Sequence, residues 1–254
     1  MTESAITPAL LRRLAWSVAE VVAIREETPR VKTLSLAVED WTGHQAGQHV
    51  DVRLTAEDGY QAQRSYSISS PPGGRHVELT VETIEDGEVS PYLTGEARAG
   101  DKFELRGPIG GYFVWSAALA GPLVLIAGGS GVAPFISMLR HRASAGHPHP
   151  AALVYSSRSF DEIIYREELD ALAHADASLR VVHTLTRARP DGWAGYTRRI
   201  DAAMLGELGI PALQGANVFI CGPTGMVEGA AQALIGLGVD AGRIKTERFG
   251  PSGG

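Results

Sequence analysis

A glycine-rich turn at Gly128–Pro134, with the sequence GGSGVAP, is the segment whose residue types point most directly to chemistry. The apolar run Leu123–Ala127 precedes the turn, and a helix-like pattern of apolar residues follows it. A strand, a tight turn and a helix in this order present backbone N–H groups to a phosphate. Glycines let a pyrophosphate approach the backbone, and Pro134 suits the first turn of a helix. Turns of this kind also occur without a nucleotide, so other segments must decide.

A second candidate is the strand-like segment Arg64-Ser65-Tyr66-Ser67. Strand alternation places Arg64 and Tyr66 on one face and Ser65 and Ser67 on the other, unless the strand bends at a ligand. A guanidinium can clamp a phosphate, a tyrosine ring can cover a flat heterocycle, and a serine can hydrogen-bond a ring nitrogen. A polar edge strand would explain the same residues.

Two further segments favour an anionic ligand in the first half of the chain. In Gly87–Leu93 (GEVSPYL), Ser90 is predicted as the N-cap and Pro91 as the first position of a short helix over 90–95. The segment Gly107–Phe113 (GPIGGYF) supplies a second glycine-rich turn.

The elements that must position these residues differ between the two halves of the chain. From 17 to 115 the pattern is one of short strands separated by turn signals, which predicts an antiparallel barrel or sandwich. From 120 to 250 strands alternate with helices, which predicts a doubly wound parallel sheet with ligands beyond the carboxyl ends of its strands. Residues 1–16 are predicted to include a short amphipathic helix. The predicted strands are 18–24, 32–38, 49–54, 64–69, 76–83, 102–107, 122–127, 151–156, 180–185, 217–221 and 243–248, and the helices of the second half are 134–145, 161–174, 201–208 and 225–236.

Composition excludes several classes of protein. The 254 residues carry a net charge of −6, from 23 basic and 29 acidic side chains, which disfavours nucleic-acid binding. No apolar run approaches the roughly 20 residues of a membrane span, and no signal peptide is evident, so a cytoplasmic location is expected. The single cysteine, Cys221, excludes an internal disulfide and a four-cysteine iron–sulfur cluster. The pair His147 and His149 lacks a third ligand nearby, and no metal site is predicted.

Taken together, the motifs resemble those of the ferredoxin–NADP reductase superfamily, in the family's order, from about residue 17 to 250. Arg64-x-Tyr66-Ser67, Gly87…Ser90 and Gly107-Pro108-x-Gly110-x-x-Phe113 resemble its flavin motifs. Gly128–Pro134 and Cys221-Gly222-Pro223-x-Gly225-Met226 resemble its pyridine-nucleotide motifs. The resemblance implies a six-stranded antiparallel flavin-binding barrel over 17–115 and a doubly wound parallel-sheet NAD(P)-binding domain over 120–250, after an N-terminal extension, 1–16.

The resemblance also implies roles for single residues. Arg64 would contact the flavin pyrophosphate, Tyr66 would stack on the isoalloxazine, and Ser90 would bind phosphate. Ser130 would lie beside the nicotinamide. The four candidates for the reaction centre are Ser67 near the flavin N5, Cys221 near the nicotinamide, Glu247 as a proton relay and Phe249 as a cover of the flavin face. The cofactor-binding candidates are Arg64, Tyr66, Ser67, Val89, Ser90, Gly107, Gly110, Gly129, Ser130, Gly131, Pro134, Ser157, Arg158, Tyr165, Gly222 and Phe249.

One departure from the plant-type pattern concerns the C-terminus. Plant-type chains stop at the aromatic residue, whereas five residues follow Phe249 here, so Phe249 as a simple core residue stays an alternative.

The choice of nucleotide depends on the segment after the second parallel strand. Ser157 and Arg158 stand where a carboxylate would select the ribose 2′-hydroxyl of NADH, and a hydroxyl with a guanidinium suits a 2′-phosphate. Tyr165 also resembles the NADPH-selective members. Asp161 is interpreted as the N-cap or first-turn acid of the next helix. NADPH is therefore expected over NADH, and FAD over FMN because Gly107-Pro108-x-Gly110 resembles the FAD-type members.

These features predict a flavoprotein reductase that takes hydride from NADPH and passes electrons to a separate acceptor, such as ferredoxin, flavodoxin or an oxygenase component. The alternatives are an electron-transfer subunit of a larger complex, an NADH-preferring oxygenase reductase, and a flavin-binding module without nicotinamide chemistry. The sequence leaves the acceptor and the oligomeric state open.

Overall fold

The computed structural model describes residues 14–213 and 215–249, without the side chain of residue 211. The first half is a six-stranded antiparallel sheet in the order β4-β3-β6-β1-β2-β5. Its two edge strands meet through a bridge between Ile68 and Leu79, which closes the sheet into a barrel as predicted. Its strands are β1 (Trp16–Thr28), β2 (Val31–Val38), β3 (His49–Thr55), β4 (Gln61–Ser67), β5 (Val77–Glu82) and β6 (Lys102–Ile109).

The second half is a five-stranded parallel sheet in the order β11-β10-β7-β8-β9. Helices cover both faces of this sheet, as its strands of continuous apolar residues require. Within β7, Leu123 and Leu125 join the core on one face, while Val124 and Ile126 join the core on the other. The strands are β7 (Leu123–Gly128), β8 (Ala151–Ser157), β9 (Leu179–Leu185), β10 (Asn217–Pro223) and β11 (Ile244–Phe249), and the helices are α1 (Ala133–Ala145), α2 (Arg166–Ala175), α3 (Ala202–Glu207) and α4 (Thr224–Gly236).

The predicted helix over 161–174 is wrong at its start. Asp161 lies in a separate 3₁₀ turn, Phe160–Glu162, so it does not cap α2. Tyr165 adopts a left-handed backbone with φ of 58°, and α2 begins one residue later. A left-handed residue interrupts the helical path, and the apolar periodicity does not reveal it.

The predicted N-terminal helix falls at the edge of the described part of the chain. Most of the helix expected over 1–16 lies outside the described residues, and Trp16 already belongs to β1. Within the described part, no helix has the length and apolar character needed to cross a membrane. Among those residues there is also no group of three or more potential metal ligands.

The segment that follows the barrel packs into the second domain. Phe113 contacts Phe135 and Phe219 with ring centroids 6.0 and 5.3 Å apart, and Trp115 is 1% exposed. Gly47 allows this packing, because a Cβ there would lie 2.0 Å from the Phe113 carbonyl oxygen. The domain connection is therefore part of the hydrophobic core.

Candidate functional site

The glycine-rich turn has the predicted strand–turn–helix geometry. Gly128 ends β7, a 3₁₀ turn covers Gly129–Val132, and α1 begins at once with Pro134 in its first turn. Gly131 lies against the end of β10, where a Cβ would approach the Cys221 carbonyl oxygen to 2.4 Å. The neighbouring strand by itself therefore requires glycine at this position.

The ends of β7 and β10 also lie very close together. A Cβ on Gly222 would lie 3.1 Å from the Gly128 amide nitrogen and 2.7 Å from the end of the Met226 side chain. The pyridine-nucleotide motifs predicted from the sequence therefore meet at one edge of the sheet, beyond the carboxyl ends of its strands.

A cavity of about 590 Å³ opens at this edge and reaches the barrel. Ser157 lines it and is 5% exposed, and its hydroxyl has no hydrogen-bond partner among the described residues. A buried hydroxyl without a partner is available to a ligand. The lining residues are Thr28, Arg30, Val31, Glu82, Gly128, Gly129, Ser156, Ser157, Arg158, Glu162, Ile164, Thr186, Arg187, Arg199, Ile200, Pro223, Gly225, Met226, Gly229 and Phe249.

Three basic residues of this cavity were missed by the sequence analysis: Arg30, which pairs with Glu85 at 3.3 Å, and Arg187 and Arg199. Arg187 and Arg199 line it together with the predicted Arg158. None of these last three is in a salt bridge within the described part of the chain, whereas the neighbouring Arg198 is paired with Glu207 at 2.7 Å. The available signal was the density of arginine after β9, since four fall within 187–199.

Two carboxylates line the same cavity. The Glu82 carboxylate accepts a hydrogen bond of 2.8 Å from the Ser130 hydroxyl, which ties the glycine-rich turn to β5. Glu162 has one carboxylate oxygen buried without a hydrogen-bond partner among the described residues. Asp161, the acid considered from the sequence, lines a different cleft.

Tyr165 does not line the cavity that contains Arg158, so the structure does not bring it together with the other predicted nucleotide contacts. The side chain is 3% exposed, and its hydroxyl is hydrogen-bonded to Thr80 of the barrel and lies 3.4 Å from the Thr33 hydroxyl. The left-handed backbone at Tyr165 turns the side chain toward the barrel rather than toward the cavity lined by Arg158.

The flavin motif on β4 has the predicted alternation. Arg64 and Tyr66 stand opposite Val52 and Val50, and opposite residues in a sheet share a face. Ser65 is on the other face, where its hydroxyl donates to Asp51 at 2.6 Å. Burial raises the pKa of Tyr66 to about 12, so its phenol stays neutral.

Arg64 is half-exposed and held by a carboxylate. Its guanidinium donates to Glu88 at 2.5 Å, and the Tyr60 hydroxyl donates to the same carboxylate. These bonds lower the pKa of Glu88. A phosphate brought to Arg64 would therefore meet a guanidinium that already has an anionic partner.

The prediction that Ser90 caps a helix is wrong. Ser90 is 4% exposed, and its hydroxyl accepts a hydrogen bond from the Ile84 amide at 3.0 Å. The helical turn that follows, Tyr92–Glu96, is of π type and has no side-chain cap. Val89 is fully buried in the barrel core. The Val89 and Ser90 carbonyls accept hydrogen bonds from the Leu93 amide and the Thr94 hydroxyl, so a phosphate here would be bound by backbone amides or by the proton of the Ser90 hydroxyl.

The two glycines of the second flavin turn have different reasons to be glycine. A Cβ on Gly107 would lie 2.7 Å from a methyl group of Val50, so the residue permits close strand packing. Gly110 has φ of 102°, a region that other residues rarely adopt, and its carbonyl accepts from Gln48 at 2.6 Å.

Three of the four reaction-centre candidates lie together at the ends of β10 and β11. Cys221 is opposite Glu247, and Pro223 is opposite Phe249. Burial raises the pKa of Glu247 to about 7. Burial, with the nearby Glu247, raises the pKa of the Cys221 thiol, so this cysteine is protonated and not a thiolate nucleophile.

The fourth candidate lies on the barrel. Ser67 ends β4 opposite His49 and is not among the residues that line the cavity. Phe249 lines the cavity and also packs against the core of the second domain, so both interpretations of this residue agree with its position.

The two halves of the chain match two known domain families. Residues 18–114 match the oxidoreductase FAD-binding domain, and residues 125–232 match the oxidoreductase NAD-binding domain. The ferredoxin–NADP reductase B of Sorangium cellulosum is 34% identical over 242 residues, which cover 91% of this chain and 96% of that protein.

Further similarities extend to oxygenase systems. The ferredoxin–NAD(P)(+) reductase component of the naphthalene 1,2-dioxygenase/salicylate 5-hydroxylase systems of a Ralstonia species is 29% identical over 92% of this chain and 69% of that protein. The chain spans 52–60% of several other relatives, which are oxygenase reductase components or flavohaemoproteins.

Among solved structures, the FAD/NAD-binding domain of nitric oxide dioxygenase from Vibrio cholerae superimposes with a TM-score of 0.83, at 26% identity over 94% of this chain and all of that one. The barrel, the parallel sheet and the order of the motifs agree with these matches. The chain therefore belongs to the ferredoxin–NADP reductase superfamily, as an oxidoreductase with an FAD-binding and an NAD-binding domain.

Proposed function

We propose that this protein transfers hydride from NADPH to FAD and passes the electrons to a separate acceptor protein. The observation that carries the nucleotide assignment is the cavity in which Ser157, Arg158, Arg187 and Arg199 converge. A 2′-phosphate is bound by such a set, because guanidinium groups form paired, charge-assisted hydrogen bonds with phosphate oxygens.

The described residues of both domains fit the two cofactors. The turn Gly129–Gly131 would hold the nucleotide pyrophosphate on its backbone, and Arg64 with Tyr66 would hold the flavin on the barrel face. When bound, the flavin supplies the hydride acceptor and can release electrons singly or in pairs. Alignment of the two rings accounts for catalysis without a protein nucleophile.

The candidates for the reaction centre contribute position and protons. Ser67 would hydrogen-bond the flavin near N5, and Phe249 would shield the flavin face until the nicotinamide takes its place. Glu247, whose pKa lies near 7, would exchange a proton at neutral pH. Cys221 would pack beside the nicotinamide as a neutral thiol.

Glu162 supports a second candidate, NADH. A carboxylate in this cavity could accept hydrogen bonds from the ribose hydroxyls and repel a 2′-phosphate. One carboxylate oxygen of Glu162 is buried without a partner among the described residues. Among the described residues, the three cavity arginines without a salt bridge, Arg158, Arg187 and Arg199, outnumber the two carboxylates, Glu82 and Glu162, and favour NADPH.

The variants Arg158→Ala, Arg187→Ala and Arg199→Ala test this choice against Glu162→Gln as the matched control. We expect each arginine variant to lower kcat/KM for NADPH by about tenfold or more, since a charge-assisted hydrogen bond contributes about 1.5–3 kcal/mol, with kcat/KM for NADH nearly unchanged. Glu162→Gln should leave NADPH use intact or improve it. Equal losses for both nucleotides in the arginine variants would refute the assignment.

The acceptor is proposed from the chemistry and from the relatives. One similar protein is named a ferredoxin reductase, and another is a reductase component of dioxygenase systems. We infer that the acceptor is a ferredoxin, a flavodoxin or an oxygenase component. We also propose a cytoplasmic location, which agrees with a single, buried cysteine that is free of any disulfide.

An acceptor screen with NADPH and NADH in parallel tests this proposal. Protein loaded with FAD should be yellow, bleach under anaerobic NADPH, and reduce at least one such acceptor faster than an artificial dye. Absence of bleaching with either nucleotide would favour an electron-transfer subunit or a flavin-binding module.

A further inference from the structure

A buried polar network joins the two domains at the residues that directly follow the predicted flavin motif Arg64–Ser67. Ser69 and Ser70 follow β4 and are 0% and 3% exposed. The Ser70 carbonyl accepts hydrogen bonds from the Ser137 hydroxyl of α1 at 2.7 Å and from His44 at 3.0 Å. The barrel segment that carries Ser67 is therefore attached to the first helix of the nucleotide-binding domain.

Arg140 is the central cation of this network. It donates to the Ser69 carbonyl at 2.9 Å and to Glu78 of β5 at 2.6 Å, both on the barrel. It also binds both carboxylate oxygens of Glu168 on α2, at 2.6 and 2.8 Å. The Arg140 side chain, which is 15% exposed, thus holds the barrel and a second helix at the same time.

Tyr165 supplies the other half of the network. Its hydroxyl is hydrogen-bonded to Thr80, which is in turn 2.9 Å from Thr33 and 3.1 Å from Ser69. The central carbon of the Arg140 guanidinium lies over the Tyr165 ring, 5.4 Å from the centroid of the ring. A hydroxyl group buried among three others is oriented by all of them.

The network connects the two segments that must align for hydride transfer. The helix α1 begins directly after the turn Gly129–Val132, and Ser137 and Arg140 lie in its first two turns. Ser69 is two residues beyond Ser67. A movement of α1 against the barrel would therefore change the distance between the nicotinamide turn and the flavin strand.

We propose that Arg140 and Tyr165 are positioning residues, which hold the nicotinamide turn and the flavin strand at the distance that hydride transfer requires. This inference rests on the proposed function. It assigns to Tyr165 a role in the reaction geometry in place of the nucleotide contact expected from the sequence.

The test uses the full chain loaded with FAD and the variants Arg140→Gln, Arg140→Lys and Tyr165→Phe. Stopped-flow absorbance measures flavin reduction at saturating NADPH, and titrations measure the Kd values of NADPH and FAD. Because a misplacement of about 1 Å can lower a rate by about 10²-fold, we expect Arg140→Gln to slow reduction by roughly 10- to 100-fold. Both Kd values should stay within about twofold of wild type. Arg140→Lys should recover part of the lost rate. The reduction rate of Tyr165→Phe should lie between those of Arg140→Gln and wild type.

Arg142→Gln provides a matched control on the same helix. Arg142 is 2% exposed and pairs with Asp176, Ser178 and the His149 carbonyl, all within the second domain. This variant should lose stability while its reduction rate at saturating NADPH stays at the wild-type value.

Two results separate the possible failures. If Arg140→Gln and Tyr165→Phe only lower Tm, as Arg142→Gln does, and reduce the flavin at the wild-type rate, the network is structural and the inference is overturned. If neither NADPH nor NADH reduces the flavin of the wild-type protein, the proposed function fails before any variant is measured, and the inference fails with it.

Discussion

The half-buried carboxyl group of Glu247 makes the stability of the protein depend on pH across neutrality. Its pKa lies near 7 against an ordinary value of 4.5, and the cause is burial. Since one pKa unit corresponds to 1.36 kcal/mol, ionising Glu247 in the folded protein costs about 3 kcal/mol as an upper value. Water at the partly exposed carboxyl group reduces this toward about 2 kcal/mol.

The sign follows from proton linkage. The folded protein holds the Glu247 proton more tightly than the unfolded chain, so this contribution is fully present below about pH 4.5 and is lost as pH rises through about 7. Glu247→Gln keeps the shape of the side chain but cannot ionise. Relative to wild type, the variant should gain about 2 kcal/mol of unfolding free energy between pH 5 and pH 9.

Urea unfolding of both FAD-loaded proteins, from pH 5 to pH 9, measures this difference. Other titrating groups cancel in the comparison, and a direct titration of FAD affinity removes any contribution from the cofactor. The neighbouring Cys221 has a raised thiol pKa, so Cys221→Ser should leave the midpoint near pH 7. A wild-type-minus-variant difference that is constant from pH 5 to 9 would refute the reasoning.

Two further predictions follow from close packing and from an ion pair. Gly131→Ala should lower Tm by about 4–8 °C, because overpacking a backbone contact costs about 2 kcal/mol. The control Gly206→Ala, where a Cβ meets nothing within 4 Å, should raise Tm slightly. Equal Tm values for the two variants in thermal unfolding would contradict this prediction. Hydrogen bonds from Ser178 and Arg142 lower the pKa of Asp176 to about 2, so its contribution is present above about pH 4 and is lost as pH falls through 2. Asp176→Asn should have a lower free energy of unfolding than wild type at pH 7. Unfolding measured at decreasing pH should show this difference shrinking toward pH 2, and a difference that stays at its pH 7 value would count against the ion pair.

Much of the fold could be predicted from the sequence, because each element obeys a local rule. The continuous apolar run Leu123–Ala127 indicates a strand buried on both faces, and the glycines after it indicate a turn at its carboxyl end. The alternation around Arg64 and Tyr66 correctly predicts which side chains share a face. These signals depend on neighbours in the chain, and such neighbours are visible in a sequence.

The errors concern residues whose partners or backbone conformation lie outside the regular patterns of helices and strands. Tyr165 bonds to Thr80 across 85 positions, and nothing local indicates its left-handed backbone. Ser90 is followed by a proline, as is typical of an N-cap, yet its hydroxyl accepts a hydrogen bond from the Ile84 amide instead of capping a helix. Arg187 and Arg199 line the cavity that also contains Ser157 and Arg158. They lie in an irregular segment, where no periodicity predicts the direction of a side chain.

The closure of the barrel has a consequence for the chain as a whole. The edge strands β4 and β5 meet at Ile68 and Leu79, and the carbonyl groups just beyond this bridge, at Ser69 and Ser70, are hydrogen-bonded by side chains of α1. A barrel cut from the chain would leave these two carbonyl groups without their partners at the point where β4 and β5 meet. The second domain therefore completes the hydrogen bonding of the barrel at its closure, and we expect the barrel alone to be less stable than the same barrel in the full chain.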